Sequence, residues 1–113
     1  MITSYITPDR TTLYLSLVGS LNTLAAKDLV HEYRDRQVPE LCRCVLDLSS
    51  CEIEDDEGLE VLRHLSVVAH PGGVELSLLA GHNHAKERIA DAAGRHKVPL
   101  VESHALPFLR RLF

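Results

Sequence analysis

The sequence predicts a single α/β domain, a mixed β-sheet with helices packed mainly on one face. Three observations predict it. The chain has 113 residues, 45% apolar and 25% charged, which are the proportions of one ordinary globular domain. Strand-like and helix-like runs follow one another in the order ββαβαβαβα. The later strands are joined through helices, which requires parallel pairing by right-handed crossovers. No internal repeat, low-complexity segment or linker divides residues 1–113.

The elements follow in order. Ile2 to Thr7 is the first strand candidate, and Pro8-Asp9-Arg10 supplies turn chemistry. Leu13, Leu15 and Leu17 alternate with Tyr14, Ser16 and Val18, the period of a second strand, which Gly19-Ser20 ends. From Thr23 to Gln37, Leu24, Ala25, Leu29 and Tyr33 recur at helical spacing, and Pro39 bars continuation. Asn22 and Thr23 are candidate caps of this helix. Cys42 to Leu48 is a short apolar run bounded by Pro39 and Ser49-Ser50, read as a buried strand. Asp47, at its end, is read as a structural hydrogen-bond acceptor.

From Asp56 to His70 the pattern becomes helical, with Leu59, Leu62, Leu65 and Ala69 on one face. Acidic residues at its start suit the positive end of a helix, and His70-Pro71-Gly72-Gly73 closes it. Val74 to Leu79 is the next strand, and Gly81-His82-Asn83 is the loop after it. A helix is expected from His84 to Ala93, with Gly94 as terminator. Val98 to Val101 reads as a last short strand, and Pro99 places it at an edge or a strand start. Ala105 to Leu112 reads as a terminal helix. Its Leu106, Phe108, Leu109 and Leu112, with Phe113, suit either packing on the sheet or a homodimer surface.

Composition narrows the function. The chain carries 16 Asp and Glu against 12 Lys and Arg, a net charge of −4, so no basic excess exists to neutralise phosphates. Trp is absent and only three Tyr and two Phe occur, which gives no base-stacking platform. Nucleic acid is therefore not an expected partner. No run approaches ~18 apolar residues, so no membrane insertion is expected. Met1 to Ile6 does not read as a signal peptide. Three cysteines, an odd number, suit a reducing compartment, and the expected location is the cytoplasm.

No metal or cofactor is expected. Cys42 and Cys44 should face the same way, but two sulfurs do not close a zinc site and no CxxC occurs. Of the seven histidines, His82 and His84 lie two apart and the others are scattered, with no His-x-x-x-His pair.

The most unusual segment is Glu52-Ile53-Glu54-Asp55-Asp56-Glu57-Gly58-Leu59-Glu60, which holds six acids and no Lys or Arg. With −6 of charge concentrated there in a chain of net −4, the remaining residues are slightly basic. Like charges so placed repel, which calls for a constraint or a partner. A calcium loop fits in part. Glu52, Glu54 and Asp56 mimic alternate ligands, but Glu57 stands where such a loop needs Gly, and Arg63 where it needs its last carboxylate. Divalent-cation or small-ligand binding at residues 52–60 is thus the alternative from another class. A phosphoacceptor receiver domain places its acidic pair after the first strand, whereas Asp55-Asp56-Glu57 comes halfway along the chain. Acid–base catalysis lacks a neighbouring His, Ser or Cys nucleophile, and Gly72-Gly73 lacks the pattern of a phosphate loop. No enzyme is expected.

Leu46-Asp47-Leu48, six residues, then Asp55-Asp56-Glu57-Gly58-Leu59 resembles the signature of STAS domains, as found in bacterial anti-sigma-factor antagonists. That signature runs Leu-Asp-Leu, six residues, Asp-Ser-(Ser/Ala/Thr)-Gly-Leu. Gly19-Ser20-Leu21-Asn22 is similar to the family's Gly-Glu-Leu-Asp, and Gly73-Val74-Glu75-Leu76-Ser77-Leu78-Leu79 to its glycine-led strand. The resemblance implies a STAS-like fold and a non-enzymatic, partner-switching protein that regulates transcription. The implied partner is an anti-sigma factor of the Ser/Thr-kinase-like type, or alternatively a transporter ATPase or another regulator.

The chain departs from that family at three positions. Many members are phosphorylated on the Ser after the first Asp, and the equivalent residue here is Asp56. Glu57 replaces a small residue, and Glu54 stands where the family tends to be apolar. A carboxylate cannot be phosphorylated by a Ser/Thr kinase, and it mimics only partly a phosphate of about −1.5 to −2. The resemblance and the cluster together give the expected contact surface. It comprises Asn22, Thr23, Glu54, Asp55, Asp56, Glu57, Gly58, Leu59, Leu62, His82 and Asn83.

Overall fold

A computed structural model gives the structure, which describes residues 1–101. The helix expected at 105–112 and its apolar residues lie outside the described residues. Strands β1 (Ile2–Ile6), β2 (Thr12–Leu21), β3 (Arg43–Ile53) and β4 (Glu75–Leu79) form one mixed sheet in the spatial order β1-β2-β3-β4. The first pair is antiparallel and the other two are parallel. Helix α1 (Thr23–Asp35) carries the chain from β2 to β3, and α2 (Val61–Ala69) from β3 to β4. Helix α3 (Lys86–Arg95) follows β4.

The β1–β2 turn is organised by Asp9. Its carboxylate accepts from the Thr7 hydroxyl at 2.7 Å, the Thr11 amide at 3.1 Å and the Thr11 hydroxyl at 2.8 Å. This lets Arg10 take a left-handed conformation, with φ 65°. The same bonds, Thr7 foremost, hold the Asp9 carboxyl below the usual carboxylate range.

Strand alternation divides the side chains between two faces. Leu13, Leu15 and Leu17 of β2, Cys44, Leu46 and Leu48 of β3, and Leu76 and Leu78 of β4 meet the helices. Opposite them pack Leu29 and Tyr33 of α1, Leu62 and Leu65 of α2, and Ile89 and Ala92 of α3. The other face carries a smaller cluster of Tyr14, Val45 and Leu79, flanked by Tyr5 and Val101. There the Tyr14 hydroxyl donates to the buried Asp47 carboxylate. Burial, reinforced by this bond and the carboxylate's charge, raises the Tyr14 phenol well above its ordinary value.

Several sequence boundaries shift. Strand β3 does not stop at Ser49-Ser50 but runs on to Ile53. Ser16 pairs with Asp47 and Val18 with Ser50, so β3 carries one extra residue in a bulge. The two serines read as a break because the bulge lies there. Ser49 donates to Asp47 through its amide at 2.9 Å and its hydroxyl at 2.5 Å. The expected Val98–Val101 strand shrinks to a single bridge between Leu78 and Leu100. Gly94 lies inside α3, and the helix ends instead where Lys97 takes φ 57°. Cys42 is exposed just before β3, whereas Cys44 is buried within it. The two therefore do not present a common thiol face.

Candidate functional site

The acidic segment forms the passage from β3 to α2. At its entry the Glu54 amide donates to the Leu21 carbonyl at 3.0 Å, which fixes the segment to the end of β2. Asn22 joins both crossovers. Its side-chain oxygen accepts from the Ala25 amide at 2.9 Å and caps α1, and its amide donates to the Glu54 carboxylate at 2.8 Å. The cap expected at Asn22 is therefore present, while Thr23 is the first helical residue. The Thr23 hydroxyl donates to Glu57 at 3.3 Å.

Before α2 the chain winds a 3₁₀ turn over Asp56–Glu60, where the sequence predicts α-helix throughout. Asp55 is its N-cap and accepts from the Gly58 amide at 2.8 Å. Asp56 and Glu57 occupy the first turn and are exposed, where the unsatisfied N–H groups of the turn favour negative charge. Asp56 is 85% exposed and accepts from Arg88 of α3 at 2.5 Å. At the far end Glu60 pairs with Arg63 at 3.0 Å. That hydrogen bond lowers the Glu60 carboxyl below its ordinary value.

The carboxylates therefore diverge. Glu54 turns to Asn22, Asp55 to the Gly58 amide, Asp56 to Arg88, Glu57 to Thr23 and Glu60 to Arg63. Among the described residues no three His, Cys, Asp or Glu side chains converge as metal ligands. Two of these carboxylates, Asp56 and Glu60, are matched by arginines, and the other three accept from neutral donors.

The structure brings Asn22, Thr23, Glu54, Asp55, Asp56 and Glu57 into one surface. It places four other expected contact residues beneath it. Gly58, Leu59 and Leu62 are buried, and the two leucines join the core. Asn83 is buried too, and its amide donates to the carbonyls of Leu48 and Cys51, each at 2.7 Å. Its oxygen accepts from the Ala85 amide at 2.7 Å. Asn83 thus fastens the β4–α3 loop to the β3 bulge, while His82 beside it is exposed. Arg88 was not singled out from the sequence. Its spacing from Asp56 carries no signal, because packing of α3 against the 3₁₀ turn creates the pair.

The α/β crossovers of a mixed sheet, with an acidic turn leading into the second helix, define a small α/β fold. No protein-family model matches the chain, and no curated protein does. Solved structures do. The anti-sigma factor antagonist SpoIIAA in its unphosphorylated form has a TM-score of 0.70 at 12% identity, over 97% of this chain and 96% of that one. The STAS domain of a Vibrio cholerae SulP transporter has a TM-score of 0.63 at 17% identity, covering 93% and 88%. An antisigma-factor antagonist STAS domain from Rhodobacter sphaeroides has a TM-score of 0.58 at 20% identity, covering 71% and 85%. The chain has the fold of STAS domains, as its sequence signature implies. Among the described residues no helix is long and apolar enough to cross a membrane.

Proposed function

We propose that this chain is a non-enzymatic protein-binding module of the anti-sigma-factor-antagonist type. In this reading Asp56 occupies the place of the phosphorylatable Ser. The observation that carries it is the exposed acidic surface at the start of α2, where Asp56 and Glu57 project beyond an Asp55-capped turn. A fixed carboxylate there cannot be switched by a kinase, so the partner reads a constant charge, and the amount of protein sets the response. Similarity to antagonist structures supports a protein partner, which this reading takes to be an anti-sigma factor of the Ser/Thr-kinase-like type in a bacterial cytoplasm.

The test replaces Asp56 with Ser and with Ala and measures affinity for that partner by calorimetry at low and high salt. The expected result is a changed affinity for both variants that converges as salt screens the charge. Equal affinity for all three proteins rejects the assignment of Asp56.

The likeness to a SulP transporter STAS domain favours a second reading, a STAS module that docks a transporter or its ATPase. Under it the same surface binds a transporter component and ignores kinase-like anti-sigma factors.

A further inference from the structure

Away from the acidic turn, α1 and α2 enclose an open groove of about 340 Å³. Its floor is apolar, formed by the half-buried Val30 and Val68, and Val67 beside them is 64% exposed. Its α1 rim is cationic, with Lys27 and Arg34, and its α2 rim carries Arg63, which is paired with Glu60. Among the described residues no Asp or Glu lines it, and Lys27 and Arg34 make no ion pair. His31 and His64 add polar ring edges between the cations. The slightly basic remainder of the chain is thus gathered partly on one groove. Leu24, 69% exposed, precedes Lys27 by one turn, so the apolar and cationic stripe extends along α1.

We propose that this groove is a second docking surface, and that its occupant is an acidic amphipathic helix of a protein partner. Charge complementarity selects the acidic flanks, and the exposed Val67 with the half-buried Val30 and Val68 selects an apolar seam between them. Lys27 and Arg34 are seven residues apart, about 10 Å along the helix axis, which matches two turns of an incoming helix. The surface is separate from the Asp56 turn, so this inference does not depend on the proposed function.

The test uses the full chain and a fluorescein-labelled synthetic helix of about three turns, with leucines at i, i+4 and i+7 flanked by glutamates. Anisotropy titrations compare it with the same peptide carrying Gln for Glu. The protein is compared with Lys27→Glu/Arg34→Glu and with Val67→Glu, all at exposed positions, and folding is checked by circular dichroism. Saturable binding is expected. It should weaken at least tenfold for the Gln peptide and for the double variant, and several-fold for Val67→Glu. Absence of saturable binding, equal binding of both peptides, or insensitivity to the double variant overturns the proposal. Two further results overturn this occupant. One is self-association of the protein, lost in the double variant, with no peptide bound. The other is binding to anionic phospholipid vesicles in preference to the peptide.

Discussion

Gly58 lies so close to the end of β2 that a Cβ on it would fall 2.9 Å from the Leu21 carbonyl oxygen. The surrounding contacts, at 3.0 Å to the Leu21 carbonyl carbon and 3.1 Å to the Asn22 Cα, are also backbone and cannot rotate away. The glycine of the signature is therefore a requirement of close packing between the 3₁₀ turn and the sheet. Gly58→Ala should destabilise by about 1–3 kcal/mol, the usual cost of overpacking. Urea unfolding measures it, and an unchanged midpoint would show that the turn does not pack as described.

Gly94 behaves oppositely. It lies within α3, is exposed, and nothing stands within 4 Å of an added Cβ. Gly94→Ala should stabilise by about 0.5–1 kcal/mol, through helix propensity alone. A lower melting temperature for this variant would instead support the sequence reading of Gly94 as a terminator.

The Asn83 side chain bonds the Leu48 and Cys51 carbonyls and the Ala85 amide, and the Leu48 carbonyl also accepts from the Cys51 thiol. Asn83→Ala removes three buried hydrogen bonds, leaving the Leu48 carbonyl only its Cys51 thiol contact, and should cost about 1–3 kcal/mol. The check is the denaturant midpoint together with hydrogen exchange at Ala85, whose amide should lose protection.

Burial pushes the Cys44 thiol up to about 12 and the Cys51 thiol up to about 11. An unfolded thiol titrates near ~8.5. A group whose pKa rises on folding gives its full stabilisation below the unfolded value and loses it as pH climbs through the folded one. Stability should therefore decline from about pH 8.5 toward the folded values, and less steeply in Cys51→Ala. Near neutral pH one thiol, the exposed Cys42, should react with Ellman's reagent in the native protein, and all three in denaturant. Two fast-reacting thiols in the native protein would contradict the burial of Cys44 and Cys51.

The Arg88–Asp56 pair is half exposed on the arginine side and more so on the aspartate. Surface pairs of this kind contribute about 0–1 kcal/mol. Arg88→Ala should therefore leave the urea midpoint nearly unchanged while making the surface at Asp56 more negative. A large loss of stability would show that the pair holds α3 in place.

Much of this protein was legible in the chain itself. The leucine alternation of residues 13–17, the helical spacing after Thr23 and the signature from Leu46 to Leu59 specify the strands, the crossovers and the fold, because periodicity records which face of each element is buried. The acidic cluster and its place before α2 were equally plain, since charge and order along the chain require no folding to be read. Only the tertiary structure decided which of those residues form a surface. Leu59, Leu62 and Asn83 have the right position in sequence but point inward, toward the core or the β3 carbonyls. Arg88, 32 residues from Asp56, meets it only because α3 packs beside the turn. The cationic groove likewise exists only once α1 and α2 lie side by side, for no sequence window contains both of its rims. Local pattern fixes the faces of an element, whereas pairing between elements depends on distances that only the packed sheet and helices set.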